Sequence, residues 1–183
     1  PDCYLRMLSY RSVIFSIQAS QAQHILVHVG IGNHFDMKKV DDGVWTVKTS
    51  PLVPGFHYYS LVIDGVSFSD PASESFYGGG RMSSAIDIPE EGYDFYNIKD
   101  VQHGVIRAGN YYSKVTGSWR PVNVYTQPGY DKNIQKKYPV LYIQHGGGED
   151  HRGWAEQGKT AHILDYLIAE GKAREMIVVI ATG

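Results

Sequence analysis

"YPVLYIQHGGGED", Tyr138 to Asp150, runs from a continuous apolar stretch directly into three glycines and two acids. The apolar residues of Tyr138–Gln144 do not alternate with polar ones. That pattern predicts a strand covered on both faces, the habit of parallel strands in α/β sheets. Three glycines at its end carry no side chains, so the main chain can approach a ligand closely with its N–H groups free to point at it. Such amides suit negative charge, either a developing oxyanion or a phosphate. The Walker pattern requires Gly-Lys-Ser/Thr after four spacers, and the dinucleotide fingerprint requires G-x-G-x-x-G at the opening of a helix; "HGGGEDHRG" has neither. His145, Asp150 and His151 lie close together, but the H-x-H-x-D-H metal pattern needs a second histidine where Gly147 stands. No metal and no cofactor is therefore expected. A plain tight exit from the strand is the competing account of the loop.

Outward from this stretch, the C-terminal side reads as a βαβ unit. "KTAHILDYLIAEGK" repeats apolar residues at Ala161, Leu164, Leu167 and Ile168, a helical stripe with Gly171 as its C-cap. "MIVVIA" is a second buried strand, reached by a right-handed crossover. On the N-terminal side, "WRPVNVYTQPGYD" is a strand ending in a Pro-Gly turn, and the region from about Pro89 to Val105 is a tethered connection interrupted by aromatic residues. A second domain over 101–183 is expected.

Residues 1–100 have a different period. "RSVIFSIQ" places Val13, Phe15 and Ile17 on one face, and "HILVHV" places Ile25, Val27 and Val29. "DDGVW" and "VIDGVS" carry Asp-Gly between apolar residues, a hairpin signal in which both central turn residues take positive φ. "VPGFHYYSLVIDG" puts Tyr59, Leu61 and Ile63 opposite Phe56, Tyr58 and Val62. Short alternating runs between turns, with no helix, predict an all-β sandwich.

Composition narrows the partners. With 17 basic and 19 acidic residues in no long run of one sign, there is no electrostatic footprint for nucleic acid or anionic lipid. No apolar stretch reaches the roughly 20 residues that span a bilayer, and the N-terminus lacks the charged-then-apolar pattern of a signal peptide. The single cysteine, Cys3, excludes an internal disulfide. Fourteen tyrosines and three tryptophans suit sheets and also sugar stacking. Trp45, Tyr58, Tyr59, Tyr77 with Arg81 on the glycine-rich loop "SESFYGGGR", and Trp154 just beyond the triple glycine are the candidates for substrate contact. Core packing is the competing role for each aromatic ring.

"YPVLYIQHGGGEDHRGW", "ILDYLIAEGK" and "MIVVIATG" together resemble the first part of the α/β-hydrolase domain of carbohydrate-esterase family one, the feruloyl and acetyl xylan esterases. "DDGVWTV", "PLVPGFHYYSLVIDG" and "DPASESFYGGG" resemble the family 48 carbohydrate-binding module, an immunoglobulin-like sandwich. The resemblance implies that Gly147 or Gly148 donates one backbone N–H to an oxyanion hole, the other donor following the nucleophile. It also implies a xylan or arabinoxylan ester as substrate and a secreted or periplasmic protein.

The nucleophile elbow G-x-S-x-G does not occur in residues 1–183: Ser67 in "GVSFS" lacks the second glycine, and Ser118 in "TGSWR" lies in a strand region. In the family's order the elbow lies beyond "MIVVIATG", and the acid and histidine later still. This chain alone is expected to be inactive. The apolar strand Tyr138–Gln144 would have a bare outer edge, so the remainder of the hydrolase as another chain, or a second copy, is the expected protein partner. A non-catalytic carbohydrate-binding module with a structural α/β extension is the alternative.

Overall fold

A computed structural model describes residues 5–182; Cys3 lies outside them. The chain divides into two units, the first running to Phe76 and again over Met82–Gly92, the second comprising Tyr77–Arg81 and the chain from Tyr93 onward. It is mostly β-sheet with one α-helix among the described residues.

In chain order the first ten strands are β1 (Leu5–Met7), β2 (Val13–Gln18), β3 (Ile25–Val29), β4 (Asn33–Asp36), β5 (Lys38–Asp41), β6 (Val44–Lys48), β7 (Gly55–Ile63), β8 (Val66–Phe68), β9 (Ser75–Gly78) and β10 (Arg81–Ile88). They form one sheet in the order β1-β2-β6-β5 and another in the order β4-β3-β7-β10-β9, with β8 paired to β7. One core serves both sheets. Val13, Phe15 and Trp45 come to it from the first, and Ile25, Val27, Val29, Tyr59, Leu61, Ile86 and Ile88 from the second. The period-2 alternation in β2, β3 and β7 follows from this arrangement, because each strand buries one face. Tyr59 also stacks at a tilt against Phe15, ring centroids 5.0 Å apart, and donates its hydroxyl to Asp70 at 2.8 Å.

The two Asp-Gly turns differ. Asp64 and Gly65 both take positive φ, 48° and 86°, in the tight turn joining β7 to β8. At Asp42–Gly43 only the glycine does, contrary to the expectation from sequence. Asp41 accepts the Asp42 N–H at 2.8 Å, and the β5–β6 register shifts between Lys39 and Asp41, so the side chain and a bulge-like irregularity shape this turn.

The second unit contains β11 (Val105–Ser113), β12 (Ser118–Thr126), β13 (Val140–Gln144), α1 (Thr160–Ala169) and β14 (Ile177–Ala181). Its sheet order is β11-β12-β14-β13, with β13 and β14 parallel and the other pairs antiparallel. β13, α1 and β14 are the strand, helix and strand anticipated from the sequence. The core gathers Tyr125, Leu164, Val178 and Ile180, with Ile143, Ala161 and Ile168 packed on it.

β13 corrects one expectation. Its run is apolar, yet Val140, Leu141 and Tyr142 are 45%, 44% and 74% exposed. Among the described residues the strand pairs only with β14 and lies at the sheet's edge. A neighbour on the far side, rather than the composition of the strand, determines whether such a run is covered. β11, the opposite edge, is exposed along most of its length and has no clear alternation to mark it.

Candidate active site

The triple glycine follows β13, where the parallel pair β13–β14 ends. Crevices at the carboxyl ends of parallel strands are where α/β sheets place their ligands. Gly146 closes a small turn: its carbonyl accepts from Glu149 N at 3.2 Å, and its N–H donates to Glu149 Oε2 at 3.3 Å. His145 Nδ1 lies 2.8 Å from the same carbonyl, which can only accept, so Nδ1 carries the proton. Gly146 therefore has no amide to offer. Gly147 and Gly148 are exposed, and among the described residues no acceptor takes either N–H. A Cβ added to Gly147 would meet nothing within 4 Å.

Gly148 is more constrained. Its φ is 75°, where side chains are disfavoured, and a Cβ there would stand 3.0 Å from Gly79 Cα and 3.2 Å from the nitrogens of Gly79 and Gly80. Its carbonyl accepts from Gly80 N at 2.8 Å. The turn at residues 77–81 thus packs directly on the loop.

Beyond the glycines, Asp150 turns back on its own segment. It accepts from Arg152 N at 2.9 Å and holds the Arg152 guanidinium at 2.7 Å from Nη2 and 3.1 Å from Nε. Hydrogen bonding from Arg152 keeps the Asp150 carboxyl below the usual aspartate range, against the opposing effect of burial. The Arg152 guanidinium lies over the Tyr77 ring, 4.6 Å from its centre. His151 places Nδ1 3.1 Å from Thr182 Oγ1 at the end of β14, and its carbonyl accepts from Asn123 Nδ2 of β12 at 3.0 Å. These contacts fix the far limb of the loop against the sheet. His151 Nδ1 also lies 3.8 Å from Asp150 Oδ1, while His145 is engaged with Gly146; among the described residues no group of three or more His, Cys, Asp or Glu is arranged to hold a metal ion.

Trp154, 42% exposed, donates its indole N–H to Gln144 O at 2.8 Å, bracing the exit of β13 with part of its ring open. Tyr77 is half-buried and is used from within: Gln157 Nε2 donates to its carbonyl at 3.1 Å while Arg152 covers its ring. Arg81 is exposed on the same turn. Trp45 is a correction. At 7% exposure it lies in the core of the first unit, its indole N–H donating to Ala19 O at 3.0 Å, and it presents no platform to a sugar. Tyr59, 2% exposed, is likewise a core residue.

A buried carboxylate escaped the sequence reading. Asp165 of α1, 2% exposed, accepts from Tyr125 Oη at 2.6 Å, Gly104 N at 2.9 Å and His103 Nδ1 at 3.0 Å. Burial and the neighbouring carboxylate push the Tyr125 phenol well above its ordinary value. Gly104 passes so close to β12 that a Cβ would sit 2.4 Å from Thr126 O. The one available signal was an acid inside the helical stripe, four residues after Ala161 and three before Ile168.

Residues 113–182 match the family model "Putative esterase". The esterase-like segment thus holds β12, β13, the glycine loop, α1 and β14. Across nearly the whole chain there is similarity to the endo-1,4-beta-xylanase/feruloyl esterase of Xylanibacter ruminicola, 43% identical over 176 residues, which is 92% of this chain and 24% of that protein. The endo-1,4-beta-xylanase Y of Acetivibrio thermocellus is 39% identical over 72 residues, 39% of this chain and 6% of that one. Among solved structures, the enterochelin esterase of Shigella flexneri matches in fold with a TM-score of 0.71 at 14% identity, over 97% of this chain and 54% of that one. The chain spans about a quarter of the length of its Xylanibacter ruminicola relative. It is similar to feruloyl-esterase-like proteins.

Proposed function

We propose that this chain is the N-terminal portion of a plant-cell-wall carboxylic-ester hydrolase of the feruloyl or acetyl xylan esterase type, working through a serine acyl-enzyme whose nucleophile is not in this chain. The observation that carries the reading is the pair of amides at Gly147 and Gly148, just past the end of β13, that no acceptor among the described residues takes. In an acyl transfer the carbonyl oxygen of the ester gains negative charge as the nucleophile adds, and preorganised N–H donors stabilise that charge more than they stabilise the substrate. Gly147 or Gly148 supplies one donor; the second follows the nucleophile. The bare edge of β13 suits the strand that would carry the nucleophile elbow, as part of a complete α/β-hydrolase sheet.

In this reading the first unit is an immunoglobulin-like sandwich related to carbohydrate-binding modules. A glycan-binding role gains nothing from Trp45 or Tyr59, whose rings are in its core. Trp154 remains the aromatic side chain placed to flank an ester beside the glycine loop. The protein is secreted or periplasmic, acting on xylan or arabinoxylan esters, and without a cofactor. The test is hydrolysis of methyl ferulate and p-nitrophenyl acetate by the full-length protein, with residues 1–183 alone as the control. Activity in the first and none in the second is expected. Turnover by residues 1–183 alone would refute the assignment of the nucleophile to another segment.

A further inference from the structure

Two glycine turns far apart in sequence meet in the second unit. The Gly80 N–H donates to the Gly148 carbonyl at 2.8 Å, and the main chain of Gly79 and Gly80 occupies the space where a Gly148 side chain would be. The contact is fastened at two further points. Gln157 donates to the Tyr77 carbonyl, and the Arg152 guanidinium, itself gripped by Asp150, lies on the Tyr77 ring. Segment 77–80 is thereby tied to segment 148–157 by main chain, amide and ring.

A glycine-rich loop without such ties would lose its geometry easily, because each glycine has nearly equal access to both signs of φ and its peptides can flip. Oxyanion donors act only when they are already aimed, since reorganisation at the moment of reaction cancels the benefit. The bond to the Gly148 carbonyl fixes the peptide that follows it, and the main chain of Gly79 and Gly80 fills the space beside its Cα. We propose that Tyr77, Gly79 and Gly80 form a positioning clamp for the glycine loop, with Tyr77 as the anchor residue that acts through Arg152 and Gln157. None of the three need touch the substrate. The proposal rests on the esterase reading for its catalytic consequence, but the clamp itself can be measured without turnover.

The experiment compares wild type, Tyr77→Ala and Tyr77→Phe in two ways. Amide hydrogen exchange of Gly80, read by NMR on residues 1–183, reports whether its bond to Gly148 persists. Steady-state kinetics of the full-length protein on p-nitrophenyl acetate report the catalytic consequence. Tyr77→Ala is expected to raise Gly80 exchange at least about tenfold while β12 and β14 amides keep their protection, and to lower kcat about tenfold or more with KM within about twofold. Tyr77→Phe keeps the ring and the carbonyl, and should stay within about threefold of wild type in both. Unchanged Gly80 exchange in Tyr77→Ala overturns the clamp. Raised exchange with unchanged kcat overturns its positioning role. A full-length wild type without esterase activity would instead remove the esterase reading, and the exchange data would then decide the clamp alone.

Discussion

Asp165→Ala tests the internal framework of the second unit most sharply. The native carboxylate receives three donors, two of them, Tyr125 Oη and Gly104 N, on the same oxygen, Oδ1. Removing it leaves a fully buried phenol hydroxyl and a backbone N–H without an acceptor, at about 1–3 kcal/mol each. Relief of the desolvated charge offsets part of this. The sum is about 3–5 kcal/mol lost from the second unit. Asp165→Asn keeps a neutral Oδ1 for the same two donors and loses only the charge assistance and the contact with His103, about 1–2 kcal/mol. Tyr125→Phe removes one charge-assisted bond while Asp165 keeps its other two donors, for about 1.5–3 kcal/mol. Urea denaturation at pH 7, followed by far-UV circular dichroism, gives the midpoints, and an unchanged m-value would confirm that stability rather than compactness has moved. A loss below about 1 kcal/mol for Asp165→Ala, or an Asn variant as damaged as the Ala variant, would refute a stabilising role for the buried Asp165 carboxylate.

Three further outcomes follow from the same contacts. Because Arg152 depresses the folded-state pKa of Asp150, its contribution is fully present above the ordinary aspartate value of about 3.9 and is lost as pH falls through the lower folded value; the stability gap between wild type and Asp150→Asn should be constant from pH 7 to 5 and close below about pH 4. Trp45→Phe removes an indole bond and core volume, costing about 1–3 kcal/mol in thermal or urea unfolding, and should leave any retardation by arabinoxylan in affinity electrophoresis unchanged. Trp154→Phe forfeits the bond to Gln144 O, about 0.5–1.5 kcal/mol, and its effect should appear as faster amide exchange at the end of β13.

Local patterns in the sequence determine the parts that were legible. Alternation in β2, β3 and β7 reports a half-buried strand because the side-chain period is fixed by the pleat; Val13, Phe15, Ile25, Val27, Val29, Tyr59 and Leu61 are buried as expected, and Ile17 and Ile63 are partly buried against the same core. The apolar stripe of α1 and the strands on either side of it were readable for the same reason. What failed depends on neighbours distant in sequence. β13 has the composition of a covered strand, but cover is supplied by other elements. Trp45 carries the same ring whether it faces core or solvent, and its register opposite Ile17 places it inward. The glycine loop could be recognised as chemically unusual; that Gly148 is gripped by Gly79 and Gly80, nearly 70 positions upstream, has no local trace. Asp165 did leave one, an acid in an apolar stripe, and its partners Tyr125 and Gly104 could be found only in three dimensions.

In the proposed esterase the amide of Gly147 or Gly148 is one of two donors to the oxyanion of an ester under attack, the other following the nucleophile. The most direct measurement is a crystal structure of the full-length protein after reaction with a serine-directed aryl phosphonate, whose phosphoryl oxygen stands where that oxyanion would form. This oxygen is expected at about 2.7–3.1 Å from the nitrogen of Gly147 or Gly148. A covalent adduct whose oxygen is held by other donors, with both glycine amides turned away or bonded within the protein, would contradict it.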